Sequence, residues 1–152
     1  MKKEFYNLEV VNTVKSIRKL LNNPDKTKDI PIKFRWNLKK NLDVLSPTVI
    51  SFDEFRQELT EELQKDFFND EKSHVDESMH EEDGLEYRKV NEEYMDEYRE
   101  KVKEINDELN DLLKEKHEYE IIPLDIDKFV EGLPDDTALT FEDVELFSLM
   151  DK

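Results

Sequence analysis

The chain has 152 residues, of which 36% are hydrophobic and 41% charged, and its formal net charge at pH 7 is −17. It contains no cysteine, so disulfides, thiolate zinc sites and cysteine nucleophiles are excluded. A negative field of this size repels nucleic acid and anionic membranes and attracts basic surfaces. The low apolar content suits long paired helices, whose buried seam needs about two apolar residues in seven.

The first predicted element is an amphipathic helix over residues 8–22. Leu8, Val11 and Leu21 lie on one helical face. Pro24 follows shortly after, and proline disfavours a helical residue before it, so the helix is expected to end there.

A second apolar stripe runs over residues 31–68. Its apolar residues recur every three or four positions, which predicts about nine helical turns sharing one face. Pro47 lies within this stripe, and an interior proline normally kinks or ends a helix at a cost of about 3 kcal/mol. Ser51 and Glu54 have capping-box spacing, which favours a restart at Ser51. The sequence therefore predicts a kinked or broken helix pair.

Residues 69–86 are strongly acidic and almost free of apolar side chains, which predicts a loop or hairpin tip. Residues 87–116 then carry an apolar seam from Tyr87 to Leu112 at helical spacing. A helix of this length spans about 45 Å, so it needs a second long helix beside it. The stripe of residues 31–68 is the natural antiparallel partner, although a second copy of the chain in a homo-oligomer could fill the same seam.

Residues 117–152 form a tail of different character. Its segment 119–124 is strand-like, and Thr140 is expected to cap a short C-terminal helix. The apolar residues that this helix should bury are Phe141, Val144, Phe147 and Leu149. The predicted fold class is mainly α: one domain over residues 1–152, built as a long, coiled-coil-like antiparallel helical hairpin with an N-terminal helix and a small C-terminal α/β tail.

No pattern in the sequence points to catalysis. His74 and His80 lie among carboxylates, but their spacing does not fit a histidine pair on one helical face. A calcium loop starting at Asp125 fails, because Phe129 falls where the fifth-position oxygen ligand is needed. Carboxylates are so frequent that no acid–base pair stands out. We therefore predict that the protein is not an enzyme and has no catalytic residues, no metal site and no cofactor.

The N-terminal third differs in charge from the rest. Residues 1–45 carry 11 Lys/Arg against 5 Asp/Glu, about +6, whereas residues 46–152 carry 12 against 35, about −23. A basic face with one aromatic residue could contact nucleic acid, and its members are Lys33, Arg35, Trp36, Lys39 and Lys40. The acidic remainder opposes phosphate at long range, so no direct nucleic-acid binding is expected.

Carboxylates dominate the outer face of the predicted helix 87–116. Their spacing, one or two per 5.4 Å turn, is comparable to that of the phosphates along one nucleic-acid strand. Such a face either keeps the protein soluble or binds a basic groove that normally holds DNA or RNA. The candidate partner-binding residues are Glu92, Glu93, Asp96, Glu97, Glu100, Glu104, Asp107, Glu108 and Asp111.

Several short motifs occur in a recognisable order: residues 30–33 (IPIK), 38–40 (LKK), 52–56 (FDEFR), 106–113 (NDELNDLL) and 122–125 (IPLD). In these motifs the chain resembles a small family of phage and prophage proteins of low-GC Gram-positive bacteria, catalogued only as a domain of unknown function. It departs from that pattern at Pro47 and in its acidic loop 70–83. The family has no known catalytic residues, so the resemblance transfers none to this chain. What the resemblance implies is a phage accessory protein.

Two hypotheses of function follow. In the first, the protein acts in the cytoplasm of the bacterial host and binds a bacterial protein with a basic surface, inhibiting a nucleic-acid-binding defence protein by mimicry. In the alternative, it is a phage virion or tail-assembly component or chaperone that binds a phage structural protein through the apolar residues 141, 144, 147 and 149. Neither hypothesis involves secretion or a membrane, because the N-terminus lacks an apolar core and no apolar run approaches about 20 residues.

Overall fold

The computed structural model describes residues 1–76 and 87–152. It is mainly helical, with 64% helix and 13% strand, which confirms the predicted fold class at that level. The elements are β1 Lys2–Tyr6, α1 Asn7–Leu21, α2 Pro24–Thr27, α3 Ile32–Phe67, β2 Ser73–Val75, β3 Arg88–Val90, α4 Met95–Leu113, β4 Lys116–Glu120, α5 Ile126–Glu131 and α6 Phe141–Glu145. Single 3-10 turns, Glu92–Tyr94 and Ser148–Met150, precede α4 and follow α6.

The described residues group into two compact units, where the sequence predicts one domain. The first unit comprises Met1–Ser51 and Leu113–Lys152, and the second comprises Phe52–Leu112. The boundary falls inside α3, whose 36 residues span about 54 Å. A helix of that length is longer than one small core, so its two halves contribute to different units.

In the first unit, β1 and α1 bring the N-terminus into the core. β1 pairs antiparallel with β4, from Lys2 opposite Glu120 to Tyr6 opposite Lys116. The Glu9 carboxylate accepts a hydrogen bond from the Tyr6 N–H at 3.0 Å where α1 begins. The bounds of α1 agree with the prediction within one residue, whereas β1 was not predicted. The core residues of α1 are Val10, Val11, Val14, Ile17 and Leu20.

Helix α3 runs through Pro47 without interruption, so of the two predicted alternatives, a kinked or a broken helix, the broken one is wrong. The Ser46 hydroxyl does not cap a new helix; it donates to the carbonyl of Leu42 one turn earlier and accepts from Arg18 of α1 at 2.6 Å. Burial explains the continuity, since the apolar residues on both sides of the proline are almost fully covered. Each contributes about 1.5–3 kcal/mol, and together they outweigh the cost of about 3 kcal/mol for the proline. They are Leu38, Leu42, Leu45 and Val49.

A buried amide joins α3 to the tail. Asn41 is 1% exposed. Its Nδ2 donates to the carbonyl of Ile122 at 2.8 Å, and its Oδ1 accepts from the Ile122 N–H at 2.7 Å. The side chain thus satisfies both backbone groups of one residue just after β4, and it fixes the position of the tail on α3.

The rest of the tail closes the core of the first unit around three aromatic rings. The rings of Phe34 and Phe129 are stacked with centroids 4.3 Å apart, and Phe147 meets Phe34 edge-on at 5.3 Å.

Thr140 caps α6 as predicted, accepting from the Asp143 N–H at 3.2 Å while the Asp143 carboxylate accepts from the Thr140 N–H at 2.9 Å.

The second unit contains a short sheet before α4. Residues Ser73–Val75 pair antiparallel with Arg88–Val90, so a strand begins within the segment that the sequence predicts as a loop or hairpin tip. The other residues of the predicted acidic loop, 77–86, lie outside the described part of the chain. Backbone pairing between the strands, which periodicity within one segment cannot show, accounts for the difference.

The long helix predicted over residues 87–116 is also shorter than expected. α4 is Met95–Leu113, because six of the first eight predicted residues belong to β3 and the 3-10 turn. Tyr98 of α4 contacts both Phe67 and Phe68 edge-on, with centroids 5.4 and 5.7 Å apart. Antiparallel pairing of α3 and α4 along their length stays a prediction.

The ion pair between Lys26 and Asp143 should make the stability of the first unit sensitive to acid. The two side chains are 2.7 Å apart, and both are mostly covered. Burial by itself raises the pKa of Asp143, but hydrogen bonds from Lys26 and Thr140 outweigh it and hold that pKa below its ordinary value. A carboxyl whose folded pKa is lowered stabilises the fold above its unfolded pKa, and this contribution is lost as the pH falls through the folded pKa.

We expect Asp143→Asn to lower the free energy of unfolding by about 1 kcal/mol at pH 7, because the variant loses the ion pair and part of the cap. The difference from wild type should shrink as the pH falls below the unfolded pKa. Urea titrations at several pH values measure it. Asp135→Asn, an exposed change of equal charge, is the control and should cost less than about 0.5 kcal/mol. A difference that stays constant into acid would contradict the assignment.

Candidate interaction surfaces

One face of α4 carries a dense row of exposed carboxylates. Seven carboxylates and three cations occupy this helix, and all seven carboxylates are exposed. At 100° per residue the carboxylates cover about a third of the circumference, opposite the half-buried Tyr98, Val102 and Ile105. The acidic face of α4, as used below, is Asp96, Glu97, Glu100, Glu104, Asp107, Glu108 and Asp111.

Two other predicted residues lie before this face. Glu92 and Glu93 are exposed as expected, but they belong to the 3-10 turn ahead of α4. A 3-10 turn has three residues per turn, so these two side chains do not continue the angular pattern of the α-helix. The predicted row of nine carboxylates on one helix is therefore a row of seven with two neighbours.

Few cations neutralise the acidic face of α4. In the described part of the chain, Lys101 lies 3.6 Å from Glu104 and Lys72 lies 3.8 Å from Glu97. No other ion pair to the face occurs among residues 1–76 and 87–152. Both pairs are partly exposed, so they are weak and screened by salt. Five of the seven carboxylates thus have no cation within ion-pair distance among the described residues: Asp96, Glu100, Asp107, Glu108 and Asp111.

The charge of the whole chain is concentrated around this helix. Residues 52–112 carry 8 Lys/Arg and 23 Asp/Glu, a formal charge of −15 out of the total of −17. Residues 1–51 and 113–152 together are close to neutral, at −2. The acidic face of α4 therefore lies in the unit that accounts for nearly all of the negative field.

The four apolar residues predicted as a binding surface of the tail differ in how far they are buried. Phe147 is fully buried in the aromatic core, and Val144 and Leu149 are half-buried. Phe141 is 77% exposed, so its predicted burial is wrong. It is the first residue of α6, where the helix turns its ring away from the core that Phe147 fills.

Phe141 lies on the wall of an open groove of about 650 Å³ between α5 and α6. The apolar lining of this groove also includes Ile126, Val130, Leu133 and Val144. Its charged lining residues are all acidic: Asp127, Glu131, Glu145 and Asp151. We call this the acidic groove. The hydrophobic pattern of the tail did not reveal it, because each apolar residue fits a core position equally well.

Two basic residues of the N-terminal third, Arg35 and Lys39, line a depression of about 440 Å³ at the start of α3. Ile32 is 83% exposed and Trp36 52% exposed, one helical turn apart. The Lys40 Nζ lies 4.6 Å from the centroid of the Trp36 ring, a cation–π distance. We define the basic patch as Ile32, Lys33, Arg35, Trp36, Lys39 and Lys40, all of which are exposed.

The described part of the chain has no candidate metal site and no candidate membrane-spanning helix. No group of three or more His, Asp or Glu side chains there could hold a metal ion. His74 Nδ1 lies 2.7 Å from the Asn91 side-chain oxygen, and His80 falls outside the described residues. No helix within residues 1–76 and 87–152 has the length and apolar character needed to cross a bilayer.

Comparison with known proteins gives no assignment: no family model, curated protein or solved structure matches this chain. The resemblance to phage proteins, based on short motifs, stays a prediction. The case for a function therefore comes from the surfaces themselves.

Proposed function

We propose that this chain is a non-enzymatic binding protein whose acidic face of α4 occupies the basic surface of another protein. The observation that carries the proposal is the run of exposed carboxylates from Asp96 to Asp111, most of which have no cation beside them within the described chain. Carboxylates held on a helix lose less conformational entropy on binding than carboxylates on a flexible loop would.

The spacing of these charges supports mimicry of nucleic acid. From Asp96 to Asp111 the helix rises about 22 Å, so its seven carboxylates lie on average about 3.8 Å apart along the axis. One strand of DNA carries a phosphate about every 3.4 Å. A groove that holds a nucleic-acid backbone with Lys and Arg could accept this helix in its place.

The biological setting that we propose follows from the resemblance to phage proteins. In that setting the chain is an accessory protein in the cytoplasm of the host, and its partner is a bacterial defence protein that binds nucleic acid. Occupation of the basic groove would inhibit the partner by excluding its substrate.

A second candidate function, in virion or tail assembly, is supported by the exposure of Phe141. An aromatic side chain left in solvent beside an apolar groove is typical of a protein contact. In this function an apolar segment of a phage structural protein would occupy the acidic groove, and binding would persist at high salt.

Capture from bacterial cells tests the first proposal. The baits are the wild type and a variant that removes four unpaired charges: Glu100→Gln, Asp107→Asn, Glu108→Gln and Asp111→Asn. The matched control removes four exposed charges from α3: Glu54→Gln, Glu58→Gln, Glu61→Gln and Glu62→Gln. Both variants have the same net charge, so a difference between them reports position and not total charge.

The wild type and the control should retain the same bacterial protein at low salt and lose it at about 0.5 M NaCl, where exposed charges are screened. The α4 variant should retain less of this protein than the control at low salt, and it should also lose it at about 0.5 M NaCl. Equal retention by all three baits, or retention that is indifferent to salt, would exclude the acidic face of α4 as the binding surface.

A further inference from the structure

The acidic groove and the basic patch are complementary in both polarity and charge. The groove offers an apolar floor with four carboxylates among its lining residues and no Lys or Arg. The patch presents two exposed apolar side chains, Ile32 and Trp36, among four exposed cations. Opposite charge around matched apolar surfaces is the arrangement that steers and orients protein association.

Both surfaces belong to the first unit of the same chain, yet neither covers the other. Ile32, Trp36 and Phe141 all keep more than half of their surface exposed. The complementary side chains are therefore available to a different molecule. Every copy of the chain carries one groove and one patch, so a second copy supplies the required occupant without any other component.

We infer that the chain self-associates by inserting the basic patch of one copy into the acidic groove of another. Trp36 is the expected anchor, because tryptophan buries a large apolar area at few rotatable bonds and is enriched at the centres of interfaces. Arg35 and Lys39, which line the depression beside it, would meet carboxylates of the groove such as Glu131 and Glu145. This contact uses residues of the first unit only, and none of them belongs to the acidic face of α4 or to the predicted helix seam.

Sedimentation velocity of the full chain tests the inference. The average mass should rise reversibly over a roughly hundredfold increase in concentration, as mass action requires. At about 0.5 M NaCl the association should weaken at least tenfold, since the charges around the contact are exposed. A monomer at all concentrations in low salt would overturn the inference.

Two single substitutions test the basic patch and the acidic groove separately. Ile32→Asp places a carboxylate on the basic patch, and Phe141→Asp removes the apolar wall of the groove. Both residues are exposed and lie in the first turn of a helix, where an acidic side chain is favourable, so the fold should persist. Leu8→Asp, at an exposed position in the first turn of α1, is the matched control and should associate like the wild type.

A mixture of the Ile32→Asp and Phe141→Asp chains distinguishes the contact between patch and groove from any other contact. Each variant alone should remain monomeric with an unchanged circular dichroism spectrum. An equimolar mixture should form a one-to-one complex, because the intact groove of the Ile32→Asp chain can accept the intact patch of the Phe141→Asp chain. A mixture that stays monomeric, or association that either single substitution leaves unchanged, would show that the copies do not meet through these two surfaces.

Discussion

Replacing Asn41 with leucine should lower the free energy of unfolding by about 1–3 kcal/mol. The substitution removes both hydrogen bonds between the Asn41 amide and the backbone of Ile122, and each contributes about 0.5–1.5 kcal/mol net to stability. Stability in the usual range is about 5–15 kcal/mol, so this loss is a large fraction of the total. Chemical denaturation followed by circular dichroism measures it.

The control for Asn41 lies one turn earlier in the same helix. Asn37 is half-buried and forms no hydrogen bond with residues 1–76 or 87–152 through its side chain. Asn37→Leu should therefore change stability by less than about 1 kcal/mol. Similar losses for both substitutions would mean that the amide of Asn41 contributes nothing specific.

A second substitution at the same position gives a readout that packing alone would not produce. Asn41→Asp removes the donor and places a carboxylate against the Ile122 carbonyl, which disfavours the charged form and raises the pKa of the new carboxyl. Its protonated form has a donor again. The loss of stability relative to wild type should therefore shrink as the pH falls from about 7 to about 4.

The elements that the sequence predicted well are those defined by their own residues. The helical spacing of apolar residues predicted α1 within one residue of its observed ends. The side chains of Thr140 and Asp143 form the local cap that places the start of α6. In both cases the forces that define the element act over a few residues, so they are visible in a short window of sequence.

The elements that the sequence missed depend on distant partners. β1 exists because it pairs with β4, more than 100 residues away, and its own sequence KKEFY carries little strand preference. Likewise, the continuity of α3 through Pro47 depends on burial against α1 and the tail. The start of α4 was placed too early because residues 88–90 pair with residues 73–75.

The candidate surfaces likewise include one that could be predicted from the sequence and one that could not. Exposed carboxylates on α4 could be predicted, because charged side chains opposite an apolar stripe face solvent. The acidic groove could not, since Phe141 and Phe147 look equivalent in sequence while one is exposed and the other fully buried. The role of Asn41 also escaped prediction, because its partner is the backbone of a residue 81 positions away.

Removing four carboxylates from the acidic face of α4 should weaken the complex with the captured bacterial protein by roughly fivefold to several hundredfold. The substitutions are Glu100→Gln, Asp107→Asn, Glu108→Gln and Asp111→Asn. Exposed ion pairs contribute about 0.2–1 kcal/mol each, so four give about 1–4 kcal/mol, and 1.4 kcal/mol is tenfold in Kd. Isothermal titration calorimetry at low salt measures the change, and the variant with four α3 substitutions should bind like the wild type.

Competition with DNA separates mimicry from simple charge attraction. If the partner's basic groove normally holds nucleic acid, a short DNA duplex and this chain should exclude one another, and each should raise the apparent Kd of the other. The four α4 substitutions should raise the concentration of this chain that displaces half of the duplex by the same factor as they raise its Kd for the partner. A ternary complex of partner, duplex and wild-type chain would mean that the carboxylates bind elsewhere on the partner, because two polyanions cannot occupy one groove at the same time.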